Sequence, residues 1–306
     1  MPDINAYLRE IVADIEPTPA QVEAASASHA RLRELLDGGN IGNRIIRSFL
    51  SGSYARKTAI RPIDDVDIVF VVDPSAWRSS WSSLPSPEAV LTTFSNAIRY
   101  RYPVSTVVGQ RRSVRLQLSH LDIDVVPAIL ASSQDPKVLR IPDTDANEWI
   151  LSAPERHGDQ ATAVNQLRGG LFKPLVKLLK FWNSNLPEPA RFKSFTVETM
   201  ATRIFKEVSI ADLNDGLIKF LDFCASTAGS ARCYTWQWQF GMSFSFFGTS
   251  IPDAAGTASN TAGYIDSERR EKFVKRAIVS LDRMLAAGRA RLTEAARAYV
   301  DEALRT

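Results

Sequence analysis

Near the start of the chain, apolar residues return every three or four positions. Ile4, Tyr7, Leu8, Ile11, Val12 and Ile15 line one face of a predicted helix, which Pro17-Thr18-Pro19 stops. A second helical pattern runs through Val22, Leu32, Leu35 and Leu36 and ends at Gly38-Gly39. The period then changes. Strands are predicted near 45–51 and over 66–72, with a Gly-Ser turn and a short helix between them. A helix follows around 87–101, then strands near 104–108, 112–118 and 121–127. This alternation predicts a mixed α/β sheet with helices behind it.

Beyond Pro127 turn-forming residues dominate, in Ser132-Ser133-Gln134-Asp135-Pro136 and Ile141-Pro142-Asp143-Thr144-Asp145, and the segment reads as loop. From Leu167 the pattern is helical again. Leu171, Leu175, Leu178, Leu179 and Trp182 share one face, with Pro174 expected in the first turn, where its missing N–H is harmless. Further helices are predicted near 194–206, near 210–227 and within 267–304. Tyr234, Trp236, Trp238 and Phe240 alternate like a strand inside this helical half and stay unassigned. The expected organisation is N-terminal helices and a mixed-sheet region over 1–165, then a helical lobe over 166–306.

Composition narrows the class. A chain of 306 residues has room for one bilobal enzyme or two modest domains, and 45% hydrophobic with 23% charged residues is ordinary for a globular protein. No run of eighteen apolar residues occurs, and Met1-Pro2-Asp3-Ile4 does not open a secretory signal. A cytoplasmic location is therefore expected, with no membrane partner. Cys224 and Cys233 are too few for a zinc site by themselves, His29, His120 and His157 are scattered, and the cysteines read as reduced thiols. The 37 basic and 34 acidic residues leave a net charge of +3, enough to draw nucleotides into a cleft but too little to coat long nucleic acid. The cluster Arg111-Arg112-x-x-Arg115 is open between such a role and an ordinary solvated face or strand edge.

The candidate chemistry lies in three short stretches. Asp65 and Asp67 head the apolar run through Val72 and share one strand face, their Cα atoms roughly 6.6 Å apart. Carboxylates in such a run need a partner, and no Lys or Arg lies inside it, so a cation is expected. Asp64 is out of phase and should face away. Leu121-Asp122-Ile123-Asp124-Val125-Val126 repeats the pattern, and strand phase alone leaves Asp122 and Asp124 equivalent. Three carboxylates on neighbouring strands can hold two Mg²⁺ ions about 4 Å apart, the arrangement for in-line displacement at phosphorus. Ser51-Gly52-Ser53 opens into Tyr54-Ala55-Arg56-Lys57; Gly52 lets backbone approach a phosphate, and Ser53 is expected to cap the following helix with its hydroxyl.

Gly52-Ser53, then Asp65-x-Asp67, then a later strand acid resembles the nucleotidyltransferase superfamily with the DNA-polymerase-β palm. The text from Gly52 to Ile68 is similar to that of the bacterial cyclic-oligonucleotide synthases, the CD-NTases of CBASS antiphage systems, relatives of animal cyclic GMP-AMP synthase and oligoadenylate synthase. The resemblance spans roughly residues 40–265 and is tight over 51–68 and 121–129. It implies an α+β fold, a palm with a helical C-terminal lobe and a central cleft, and it selects Asp124 over Asp122. Asp65 and Asp67 would hold both Mg²⁺ ions (with Mn²⁺ as a substitute), and Asp124 the one that activates the attacking hydroxyl. Lys180 matches a lysine that reaches the triphosphate, with Lys177 as its near substitute and an exposed helix lysine as the plain reading. Ser194 and Phe195 match a serine on the phosphates and an aromatic ring on the base, against Phe195 as core. Glu198 would orient a lysine or be exposed, and Arg56, Thr58 and Arg61 would fix the loop before the strand.

The implied function is Mg²⁺-dependent synthesis of a cyclic dinucleotide or small cyclic oligonucleotide from NTPs, ATP and GTP above all, with release of pyrophosphate. Cyclic GMP-AMP is the leading single product. No zinc-bearing insertion is legible, so DNA is not expected as an obligatory activator, and regulatory or effector proteins of a defence operon are the expected partners. The rival readings are a CCA-adding tRNA nucleotidyltransferase, an enzyme that nucleotidylates proteins or small molecules, and a nucleotide-binding module without catalysis. The intact acids argue against the last.

Overall fold

A computed structural model describes residues 2–77, 84–226, 239–245 and 248–305. The chain forms two compact units, residues 17–158 and residues 1–16 with 159–306.

In the first unit, α2 (Pro19–Asp37) starts at a capping box in which Thr18 and Gln21 satisfy each other's backbone N–H. The sheet comprises β1 (Ile45–Ser51), β2 (Asp65–Val72), β3 (Thr106–Gly109), β4 (Val114–Gln117) and β5 (Asp122–Leu130), in the order β1-β2-β5-β4-β3. Between β1 and β2 lies the short helix α3 (Gly52–Arg56), and α4 (Pro87–Arg101) precedes β3. β2 and β5 run parallel, while β1–β2, β4–β5 and β3–β4 are antiparallel.

The two faces of the sheet differ. Val66, Ile68, Phe70 and Val72 of β2 join Ile123, Val125 and Ile129 of β5 in one large core with Leu32 and Leu36 of α2 and Phe94 and Ile98 of α4. On the opposite face Val69 and Val71 pack with Ala128 and Leu139, and Phe49, Val126 and Ile141 lean on them. Asp65 and Asp67 share that second phase, as do Asp122 and Asp124. Each strand thus carries acids at one end of a face and apolar side chains at the other.

Three elements differ from the sequence-based expectation. The stretch after Pro127 read as loop, yet it contains the antiparallel pair β6 (Leu139–Asp143) and β7 (Glu148–Ser152), with β6 also pairing β5. The turn residues between them, with Asn147 at φ 51°, close the hairpin. A helix, α5 (Pro154–Leu167), then starts well before the predicted onset at Leu167.

The second unit contains α1 (Ile4–Ile15), α5, α6 (Phe172–Asn185), α7 (Ser194–Glu207), α8 (Leu213–Ser226), α9 (Ser267–Arg289) and α10 (Thr293–Leu304). The expected division at 165/166 placed α1 with the palm. Here the units part at 16/17 and 158/159, because Leu8, Ile11, Val12 and Ile15 bury against α6, α8 and α10. Trp182 is fully buried; its Nε1 donates to Ser280 Oγ at 2.9 Å, and Ser280 donates to Ala303 O at 2.8 Å. Pro174 does fall in the first turn of α6. A short pair, β8 (Ser243–Ser245) with β9 (Gly248–Ser250), follows, while Tyr234, Trp236, Trp238 and Cys233 lie outside the described residues. Among the described residues no helix is long and apolar enough to cross a membrane.

Candidate active site

The Gly-Ser turn is built around one carboxylate. Gly52 has φ +69°, and a Cβ placed on it would lie 1.8 Å from Asp67 Oδ2. Glycine is thus required twice, for the left-handed backbone and for the room that Asp67 occupies. The expectation that Ser53 caps the next helix is corrected. Ser51 is the N-cap residue and makes no side-chain cap bond, while Ser53 sits inside α3 and its carbonyl accepts from the Lys57 and Thr58 N–H groups. With five residues, α3 is a turn that closes at Lys57 (φ 60°) rather than a helix with a sizeable dipole. Of the three residues expected to fix this loop, Arg56 and Thr58 are buried and Arg61 is exposed.

Across the parallel pair, Asp65 stands opposite Asp122 and Asp67 opposite Asp124. Asp64 is exposed and out of phase. Burial, then the charges of Asp65 and Asp124, push the Asp67 carboxyl up to about 7, against the opposing pull of Arg56 and Arg115. Besides Arg56, a second counter-charge comes from the Arg111-Arg112-x-x-Arg115 cluster. Arg115 of β4 lies opposite Asp124 in the antiparallel register. Its Nε and Nη2 donate to Asp124 Oδ1 and Oδ2 at 2.9 and 2.7 Å, and Nη1 is 3.2 Å from Asp122 Oδ2. Nη2 also lies 4.0 Å from Asp65 Oδ2. The hydrogen bonds to Asp124 raise the Arg115 guanidinium further above its ordinary range. Its signal in the sequence was a basic residue between the buried Val114 and Leu116, one strand from the acids.

Arg111 and Arg112 belong elsewhere. Both bind Asp143 at the end of β6, with Nε of Arg111 at 2.6 Å from Oδ1 and Nη2 of Arg112 at 2.8 Å from Oδ2. Asp143 is almost wholly buried, and these bonds, with the Ala146 N–H, hold it well below the usual carboxylate range.

Asp65, Asp67 and Asp124 fit a hard divalent cation by donor chemistry. The upward shift at Asp67 comes first from burial and then from the charges of Asp65 and Asp124, and a bound cation would relieve both. Among the described residues, however, no group of three acidic, histidine or cysteine side chains already has the spacing to hold a metal ion. Asp124 has both oxygens engaged by Arg115.

Lys180, Ser194 and Phe195 lie in the other unit. Lys180 is buried, its Nζ 2.7 Å from Glu198 Oε2, so Glu198 does orient a lysine and the exposed-lysine reading is set aside. Lys177 reaches Glu16 at 2.5 Å. Ser194 and Phe195 are exposed in the first turn of α7, and the Phe195 ring is therefore not core. That turn is held by Tyr264, whose hydroxyl oxygen accepts the Lys193 N–H at 2.6 Å and donates to Thr196 Oγ1 at 3.2 Å. Thr196 in turn donates to Thr261 O. In the same loop Asn260 binds Ile251, Ala262 and Thr249 backbone, and buried Asp253 accepts from Ala255 and Thr257.

Comparison with known proteins gives three results. A cyclic AMP-AMP-AMP synthase of an Acinetobacter species is 34% identical over 205 residues, 63% of this chain and 56% of that protein. The chain thus matches little more than half the length of that curated relative. The solved structure of Escherichia coli CdnC with ATP superimposes with TM-score 0.77 at 19% identity, over 99% of this chain and 98% of that one. The same protein in complex with HORMA-deltaN gives 0.76 at the same coverage. The Bradyrhizobium diazoefficiens CD-NTase CdnG, solved with GTP, gives 0.71 at 15% identity, over 97% and 95%. At such identities the structures speak for the fold, a polymerase-β-like palm with a helical C-terminal region. Residues 3–165 match the model of the Second Messenger Oligonucleotide or Dinucleotide Synthetase domain, SMODS, and with more than half its length inside that match the chain belongs to the SMODS family of CD-NTases.

Proposed function

We propose that the protein joins NTPs into a short cyclic oligonucleotide with release of pyrophosphate, as a nucleotidyltransferase dependent on a divalent metal. One observation carries the reading: Asp67 is held against Gly52 and between Asp65 and Asp124, in a chain whose palm matches SMODS. Mg²⁺ bound by Asp65, Asp67 and Asp124 would lower the pKa of a ribose hydroxyl and neutralise charge on the donor phosphates. The chain's own part is positioning. Gly52 sets the place of Asp67, and Ser53 offers its hydroxyl to the donor phosphates beside it. In the helical unit Ser194 takes phosphate oxygens and the exposed Phe195 ring stacks on a base. Lys180 is engaged with Glu198, so its part on this reading is to fix α6 against α7 beneath Ser194, with any phosphate contact secondary.

ATP is the first substrate to test, since the Acinetobacter relative is named for joining AMP units. A cyclic tri-AMP product therefore stands beside cyclic GMP-AMP. Double-stranded DNA is not an obligatory activator on this reading. Control by a protein is favoured by the complex of E. coli CdnC with HORMA-deltaN, and an antiphage signalling role in the cytoplasm is part of the same proposal. The test is mass spectrometry of a reaction with all four NTPs and Mg²⁺ or Mn²⁺, with and without DNA. Phosphatase-resistant cyclic product supports the proposal. A ladder of linear oligomers, label on tRNA or protein, or silence until DNA is added would overturn the corresponding part.

A further inference from the structure

We infer that Arg115 is a positioning residue that competes with the divalent metal for Asp124, so that metal entry requires its guanidinium to withdraw from at least one Asp124 oxygen. The inference rests on the proposed metal-dependent reading of this site. A single guanidinium takes both oxygens of Asp124 in a fork, at 2.9 and 2.7 Å, and reaches Asp122 at 3.2 Å. A carboxylate bound this way has its strongest acceptor directions occupied.

Three features make withdrawal feasible. The Arg115 side chain is 29% exposed, while that of Asp124 is 10% exposed, so the arginine has a route to water that the acid lacks. Val114 and Leu116 on either side are fully buried and keep β4 in place if the side chain moves. Asp122, at 24% exposure on the solvent side of the pair, can retain the guanidinium after it leaves Asp124. Arg115 thus keeps the acids from repelling one another before metal arrives, and it sets the metal concentration at which the site assembles.

The test is Mn²⁺ binding without nucleotide, read by the electron paramagnetic resonance signal of free Mn²⁺, with parallel thermal melts. Arg115→Gln should bind Mn²⁺ roughly tenfold more tightly than wild type, since one competing unit charge is gone. Its melting temperature without metal should fall, and Mn²⁺ should restore more of it than in wild type. Arg115→Lys, which keeps the charge but cannot form the fork, should lie between, and it serves if the Gln variant does not fold. A purely structural arginine would lower the melting temperature equally at every Mn²⁺ concentration. That outcome, or unchanged or weaker Mn²⁺ binding in both variants, overturns the inference. Asp124→Asn separates the two levels: if it binds Mn²⁺ as wild type does, the metal reading of the site fails instead.

Discussion

Gly52→Ala tests the site through one methyl group. The added Cβ would lie 1.8 Å from Asp67 Oδ2 and 2.8 Å from its Cγ, whereas non-bonded heavy atoms settle near 3.5 Å or beyond, so the carboxylate must move by more than about 1 Å. It is half-buried, and moving it brings it against the charges of Asp65 and Asp124. The backbone adds a separate term. Alanine at φ +69° costs about 1–2 kcal/mol, enough to lower the melting temperature by a few degrees. Catalysis should suffer more than stability, because a misplacement of about 1 Å at a reacting centre is worth roughly 10²-fold. Pyrophosphate release from mixed NTPs with Mn²⁺ reads the first effect and a thermal melt the second. Gly109→Ala is the control, since a Cβ there meets nothing within 4 Å and its φ is not positive. If Gly52→Ala keeps half of wild-type turnover, the placement of Asp67 by Gly52 does not matter and the reasoning fails.

Asp67→Asn should abolish NTP consumption while leaving the metal-free protein as stable as wild type or more so, because it removes a charge that Asp65 and Asp124 oppose and keeps the shape; retention of a tenth of wild-type product would sink the assignment. Exposed Asp64, changed to Asn, should alter turnover by about twofold at most. Lys180→Ala leaves Glu198 buried without its partner and should cost about 3–5 kcal/mol in denaturant unfolding. Adding Glu198→Leu should recover much of that loss, and strictly additive penalties would refute the coupling. Asp143→Asn should cost about 2 kcal/mol at pH 7, where the carboxylate held by Arg111 and Arg112 is ionised in both folded and unfolded chains. Its folded pKa is depressed, so that stability is present above about pH 4 and is lost as pH falls toward the folded value. A gap between wild type and variant that stays constant down to pH 2 would contradict this.

The parts of the fold that could be read in advance are those where periodicity and burial agree. β2 is an unbroken apolar run headed by acids, and its partner β5 repeats the design, so both strands and the faces of Asp64, Asp65 and Asp67 were legible. The β6–β7 hairpin was not. Pro142, Asp143, Thr144 and Asp145 carry strong turn signals, and the pairing of β6 with β5 is a tertiary contact that outweighs local propensity. The place of α1 was hidden for a similar reason: its apolar stripe announces a helix but does not name the surface that buries it. At the site, the pairing of Arg115 with Asp124 was not legible because it crosses from β4 to β5, and strand register is set by tertiary pairing rather than by the acidic run itself. Lys180 was found, but its burial with Glu198 needed the packing of α6 on α7 to be seen.

The parallel pairing of β2 with β5 also bears on how the protein is made. Parallel strands need a crossover, and here α4, β3 and β4 must all be synthesised before Asp124 can meet Asp67. A nascent chain that has released only the Gly-Ser turn and β2 already displays two of the acids, but it has no partner strand to complete the set. Assembly of the candidate centre is tied to a late, long-range step in folding, and such steps are slow because the intervening loop must close first. Ribosome-bound or truncated chains ending before β5 would therefore lack Asp124 and with it the complete set of acids.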